Sequence, residues 1–343
     1  MIKDLRIRES IEEREESLSP HAVRSKNSLG RQKAEELDPI RTAFQRDRDR
    51  IIHSKAFRRL KHKTQVFIAP RGDHYVTRLT HTLEVSQVAR TLARSLNLNE
   101  DLTEAIAMGH DLGHTPFGHI GEEVLNDLFN KGFRHNEQSL RVVDMLENEG
   151  RGLNLSEEVR DGILHHSKST EKILEGWEKM DTFEGEICRI ADSIAYINHD
   201  IDDAIRAGII KGEDLPQSAS SILGNSRRKR INTMVLDIIE QSWAVSGTIP
   251  AKPAVSMSEP VRQATNTLRD FLFARVYNPN VNREESQKAR QTVKFLYEYF
   301  KDNDDKLPPE YLVFSDEPEQ RVVDYISGMT DQYATDLVEA LRK

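Results

Sequence analysis

The 343 residues carry 49 Lys and Arg against 57 Asp and Glu, a net charge of -8 at pH 7 that excludes a wholesale polyanion binder. Charged residues make up 31% of the chain and the mean hydropathy is -0.63. Apolar runs fall far short of the roughly 18 residues that span a bilayer, and the opening MIKDLRIRES lacks the apolar centre of a secretory signal, so a cytoplasmic protein with no membrane association is expected. The one cysteine, Cys188, excludes an intrachain disulfide, and its place in an Ile-rich helical pattern marks it as a small buried hydrophobe.

The length fits two average domains or one large helical domain with an appended subdomain. Residues 1–38 mix charges of both signs with Ser, Pro and Gly and show little apolar period, which predicts an extended or partly helical arm that wraps the body or contacts another subunit. Helical patterns follow at 41–61, 79–96, from Asn99 onwards and at 118–129. Between the first two, Val66, Phe67 and Ile68 precede Pro70-Arg71-Gly72-Asp73, a hairpin or an ordered turn. Further helices are predicted at 137–147, 156–165, 185–207, 230–242, 259–276, 284–300 and 319–342. The polar stretch 214–230 reads as a surface loop, and 249–260 as a linker with a soft domain boundary near residue 250. Strand alternation is almost absent, so the expected fold class is all-α.

One stretch opposes the acidic total. From Arg41 to Lys63 nine Lys or Arg stand against Asp47 and Asp49, a local excess of seven positive charges. Either a compact anion or an exposed basic helix accounts for it.

The densest chemistry lies in Gly109 to His119, where three histidines and an aspartate are interrupted by Gly113, Pro116 and Gly118. An adjacent His110-Asp111 pair at a helix end offers a divalent cation one imidazole nitrogen and one carboxylate oxygen, and Pro116 stops that helix. Asn99 is a plausible N-cap with Glu100 and Asp101 in the first turn, and Leu102, Ile106 and His110 recur every four residues, which turns His110 inwards. In the preceding helix His81 shares a stripe with Val85, Val88 and Leu92. Taken alone, a histidine at such a position is usually a satisfied core residue. In the 185–207 helix Ile187, Ile190, Ile194, Ile197 and Ile201 form the core stripe, while Asp192, Tyr196, Asp200 and Asp203 follow another face. Periodicity favours a solvated acidic face there; Tyr196 and the lack of Lys or Glu in the stripe favour a cavity wall.

His81, His110-Asp111 and Asp192 together resemble the H…HD…D signature of HD phosphohydrolases. The blocks 54–60 (SKAFRRL), 63–67 (KTQVF), 77–85 (TRLTHTLEV) and 110–122, in order, are similar to the bacterial dGTPase-like branch of the deoxynucleoside triphosphate triphosphohydrolases. The likeness runs from about Pro39 to Ala207. It implies an HD-domain helical bundle over residues 39–250 with an additional C-terminal helical subdomain at 251–343, behind the arm at 1–38.

The resemblance implies a metal site of His81, His110, Asp111 and Asp192. Two imidazoles and two carboxylates suit Mn, Mg, Fe, Ni, Co or Zn; the family favours Mn or Mg. Such an ion activates a bound water for attack on phosphorus, and no GK[ST] loop is present to suggest a P-loop enzyme instead. The expected reaction is hydrolysis at the α-phosphorus of a deoxynucleoside triphosphate, dGTP by default, to deoxynucleoside and inorganic triphosphate. His119, Glu122 and His135 are the implied catalytic groups, although Glu122 by itself also suits a helix N-terminus. His114 is the implied support for a ligand. Arg78 is assigned to phosphate, Gln65, Tyr196 and Asp200 to the deoxyribose, and Arg58 and Arg59 to the remaining phosphates or, equally, to structural ion pairs. Next to Asp192 the chain has Ser193 where some relatives carry lysine. Other HD chemistry on a different nucleotide, or a nucleic-acid-binding regulator using the 41–63 segment and Arg227 to Arg230, are the alternatives. A homo-oligomer and a second nucleotide as activator are further implied by the family.

Overall fold

The computed structural model describes residues 5–68, 75–167, 172–175, 177, 179–278 and 283–343. Among them every regular element is helical, and only two isolated antiparallel bridges occur, Arg31 with Ser156 and Thr64 with Thr77. The Pro70 to Asp73 turn lies outside the described residues. The helices are α1 (Ile7–Glu15), α2 (Ala43–His53), α3 (Lys55–Arg59), α4 (Arg78–Ser95), α5 (Glu100–Gly109), α6 (His119–Leu128), α7 (His135–Arg141) and α8 (Glu157–His165). They continue with α9 (Phe183–Arg206), α10 (Gln217–Leu223), α11 (Arg227–Gln241), α12 (Glu259–Leu272), α13 (Glu284–Asp302), α14 (Pro318–Ser327) and α15 (Asp331–Leu341).

Helix starts follow local chemistry. Thr77, Asn99, Thr182, Ser226 and Thr330 each accept a first-turn amide through the side chain, which relieves one orphan donor per helix. Three expectations are revised. The 41–61 run breaks at Ser54, whose hydroxyl accepts the Phe57 amide, while the distant Glu147 carboxylate accepts the amides of Lys55 and Ala56. The expected loop at 214–230 contains α10, because Ala219 and Leu223 lie one turn apart and are buried against α12. The 319–342 run is two helices, parted at 328–330, where Thr330 caps the second.

Two apolar cores result. The first gathers α2, α4, α5, α8, α9 and α12. The stripe Ile187, Ile190, Ile194, Ile197 and Ile201 is fully buried in it, at about 1.5–3 kcal/mol per side chain. The second joins Phe117, Ile120, Val124 and Leu125 to α13, α14 and α15 through residues such as Val293, Leu296, Val322 and Val338. The chain from His110 to Gly118 crosses from one core to the other.

The arm folds onto its own chain. Ser19 donates its amide to Asn97, Glu158 accepts Ser28 and Leu29, and Glu184 accepts the amides of Val23 and Asn99. Cys188 is buried with its Sγ donating to the Thr103 carbonyl, and burial raises its thiol pKa. No described helix is long and apolar enough to cross a membrane.

Candidate metal centre and active site

α4 and α9 lie side by side, and α5 packs across both. The His81 stripe therefore points into the bundle, with Val85, Val88 and Leu92 almost wholly buried beside it. α5 ends at Gly109, well before Pro116, which revises the expected stop. The termination has a tertiary cause: the Ser139 hydroxyl donates to the His110 carbonyl (2.7 Å) and accepts the Gly113 amide (2.8 Å), closing the helix end. A Cβ at Gly113 would stand 2.1 Å from the Ser139 nitrogen, so only glycine allows α7 this close. Phe117 and Gly118 then take positive φ, 61° and 59°, and turn the chain into α6 at His119.

His81, His110, Asp111 and Asp192 converge. His81 Nε2 is 3.1 Å from Asp192 Oδ1, 3.7 Å from Asp111 Oδ2 and 3.4 Å from His110 Nε2, which lies 3.5 Å from Asp111 Oδ1. The His110 Nδ1 faces the Ala107 carbonyl at 2.7 Å, an acceptor only, so its proton sits there and the Nε2 lone pair turns into the cluster. Asp111 is held well below the usual carboxylate range: burial opposes ionisation, and His110, Arg78 and His114 outweigh it. Asp192 is brought down to about 2 against its burial by hydrogen bonding and charge from His81. Burial lowers the His81 pKa, with hydrogen bonding and charge from Asp192 acting the other way. Two imidazoles and two carboxylates facing one point form a donor set that a divalent cation fits.

Behind His81 lies a residue that sequence reasoning missed. His81 Nδ1 is 2.9 Å from His199 Nε2, and His199 Nδ1 is 2.8 Å from Asp200 Oδ1, whose other oxygen accepts the Tyr277 hydroxyl at 2.5 Å. The pKa of His199 is raised: burial acts against protonation and Asp200 overcomes it. Its spacing of seven from Asp192 on α9, two helical turns along the same face, was the available signal.

On the other side Glu122 accepts both the backbone amide (2.9 Å) and the Nδ1 of His135 (2.8 Å). Burial works against its charge, yet His135 and His119 hold the carboxyl well below its ordinary value; His135 is raised by Glu122 despite burial. The His114 ring stacks on His135 at 4.0 Å, and His119 stands exposed at the mouth, 3.4 Å from Glu122. His166, also missed, places Nε2 3.2 Å from that of His135, and burial brings its pKa to about 3.

These groups line a cavity of about 260 Å³. Arg78 is buried on its wall, donating Nη1 to Asp111 at 2.7 Å, while Nε and Nη2 have no partner among the described residues. Gln65, Tyr196 and Asp200 also line it, and the polar face of α9 is a cavity wall. Arg189, Arg269, Trp177 and Tyr277 line it as well and were not anticipated, because they reach it through tertiary packing. Arg189 stacks on Trp177 at 4.5 Å and Arg269 on Phe273 at 4.6 Å. Arg58 and Arg59 do not reach the cavity: Arg58 is exposed and bonds the His53 carbonyl, and Arg59 meets the Tyr311 hydroxyl in a separate cleft. The first part of the basic 41–63 segment is paired within its own chain, with Arg41 on Asp49, Arg48 on Glu104 and Arg50 on Glu35. Arg227 and Arg230 are likewise paired, with Glu84 and Asp202.

A helical bundle that focuses two histidines and two aspartates from two helices and the turn that follows a third is the architecture of an HD-domain phosphohydrolase, and the HD domain model matches residues 78–197. A phosphohydrolase-associated domain matches residues 255–340. Relatives named deoxyguanosinetriphosphate triphosphohydrolase-like protein align over nearly the whole chain. The one from Caldanaerobacter subterraneus subsp. tengcongensis is 57% identical over 96% of this chain and 94% of its own length. Those from Desulfatibacillum aliphaticivorans and Clostridium perfringens strain SM101 are 50% and 51% identical, each over 96% of this chain and 95% and 96% of their own. The chain belongs to this dGTPase-like family of HD-domain proteins.

Proposed function

We propose that the protein is a metal-dependent triphosphohydrolase that converts a deoxynucleoside triphosphate, dGTP by default, to deoxynucleoside and inorganic triphosphate. The observation that carries this reading is the convergence of the four-residue donor set with the half-unpaired Arg78 guanidinium in one buried cavity. His81, His110, Asp111 and Asp192 would hold the divalent ion, Mn or Mg by likeness to the family; when bound it supplies charge for a phosphoryl oxygen and acidifies a water.

Arg78 keeps Nη1 on Asp111 and offers Nε and Nη2 to a phosphate, a fork that lysine cannot reproduce. Glu122 fixes His135 and His119, so that a histidine proton is delivered at the mouth to the departing 5′ oxygen. His114, stacked on His135 and 3.5 Å from Asp111, ties the acid-base pair to the ligand. Gln65, Tyr196 and Asp200 contact the sugar, and the Tyr196 ring against C2′ would exclude a ribose hydroxyl.

The test is to incubate the Mn-loaded protein with each dNTP and rNTP separately and identify products. Inorganic triphosphate from at least one dNTP, abolished by Asp111→Ala, is expected. Orthophosphate or pyrophosphate alone, or unchanged turnover in the variant, would sink the assignment.

A further inference from the structure

The two loops that carry Gln65 and His119 are held by a carboxylate from neither of them. Asp331, the first residue of α15, accepts the Thr64 amide at Oδ2 (3.0 Å) and the Phe117 amide at Oδ1 (2.9 Å). An aspartate at that position ordinarily serves its own helix N-terminus. Here both oxygens are committed to amides of other segments. Beside it Lys63, fully buried, donates Nζ to the carbonyls of His114 and Ser327, the latter at 2.8 Å, and so binds the catalytic loop to the end of α14. The loops themselves are in backbone contact: a Cβ at Gly118 would lie 3.1 Å from the Gln65 carbonyl and 3.3 Å from Arg78 Nη2. Phe117, left-handed at φ 61°, is buried in the second core with α13–α15. Such a conformation persists only where its surroundings enforce it.

We propose that Lys63 and Asp331 form a clamp through which the C-terminal helices hold both active-site loops in register, making Asp331 a positioning residue for Gln65 and His119. Asp331 bonds none of the four-residue donor set, so it sets substrate and proton-transfer geometry without setting metal affinity. Its kinetic readout rests on the hydrolase reading; its structural readout does not.

The experiment compares full-length wild type with Asp331→Ala and Asp331→Asn, each loaded with Mn2+. Asparagine keeps the shape but offers one amide a donor in place of an acceptor, and it serves if the alanine variant fails to fold. Expected are faster amide exchange in peptides over 62–68 and 113–119 with α4 and α9 unchanged, equal Mn2+ affinity by calorimetry, and kcat for dGTP lowered on the order of tenfold or more, with KM moved less. Unchanged exchange in either loop overturns the clamp. Faster exchange at full kcat reduces Asp331 to a structural residue, and a parallel loss of Mn2+ affinity shows that the metal centre moved instead. A wild type that turns over no nucleotide defeats the hydrolase reading and leaves the clamp to be decided by exchange alone.

Discussion

His199 shows how a single buried side chain can link two residues of the cavity wall, His81 and Asp200. A ligand histidine needs its second nitrogen oriented, and here the orienting group is another imidazole, itself backed by Asp200. For His81 to offer the Nε2 lone pair that would hold a cation, its ring proton must sit on Nδ1, facing His199 Nε2. Replacing His199 by phenylalanine removes that acceptor and leaves a buried donor unpaired. Mn2+ affinity, measured by calorimetry, is expected to fall about 10- to 100-fold, with helicity by circular dichroism retained. Affinity equal to wild type would remove His199 from the metal's support. Asp200 also accepts the Tyr277 hydroxyl, so the same carboxylate meets both the cavity wall and the histidine behind His81.

At the scale of elements, the close approach of α7 to the end of α5 shapes the ligand turn. The Ser139 hydroxyl satisfies the buried His110 carbonyl and the buried Gly113 amide at once. Ser139→Ala would orphan both, at a cost of about 1–3 kcal/mol, expected as a lower midpoint in urea with weaker Mn2+ binding. A midpoint within error of wild type would show that the turn is held by other contacts. This tertiary cap also explains what the sequence could and could not disclose. The stripes of His81 and of Ile187 to Ile201 are local periodicities, legible because burial repeats every three or four residues. The end of α5 was misassigned to Pro116, since its true cause, Ser139, is remote in the chain. The break at Ser54 has the same character, being completed by Glu147. Arg269 and Tyr277 stayed hidden because nothing in 259–277 shows that α12 and its continuation close the cavity. For Arg58 and Arg59 the sequence leaves phosphate contact and a structural role equally open, because charge does not say which way a helix faces.

For the whole molecule, attachment of the arm depends on buried carboxylates. Glu184 is fully buried in the first turn of α9 and joins the arm to α5 through the amides of Val23 and Asn99. Those amides favour its charge, but burial outweighs them and raises the pKa to about 7, with Glu15 adding to the rise. Its Oε2 has no partner among the described residues. Glu15, which bonds Ser25 and Asn99, is also raised, chiefly by burial. The folded pKa of Glu184 lies above the unfolded value of 4.5, so the protein binds this proton more tightly when folded. The associated stability is complete below pH 4.5 and is lost as the pH rises through 7, to a limit of about 3 kcal/mol. Glutamine keeps an oxygen for both amides and removes the titration. Melting temperatures of wild type and Glu184→Gln should therefore coincide near pH 4.5 and diverge by several degrees at pH 8, the variant being the more stable. Protease cleavage within residues 16–38 should rise with pH in wild type alone. Parallel melting curves across that range would show that the arm is held independently of this proton, leaving Glu158 and the Arg31–Asp47 pair as its anchors.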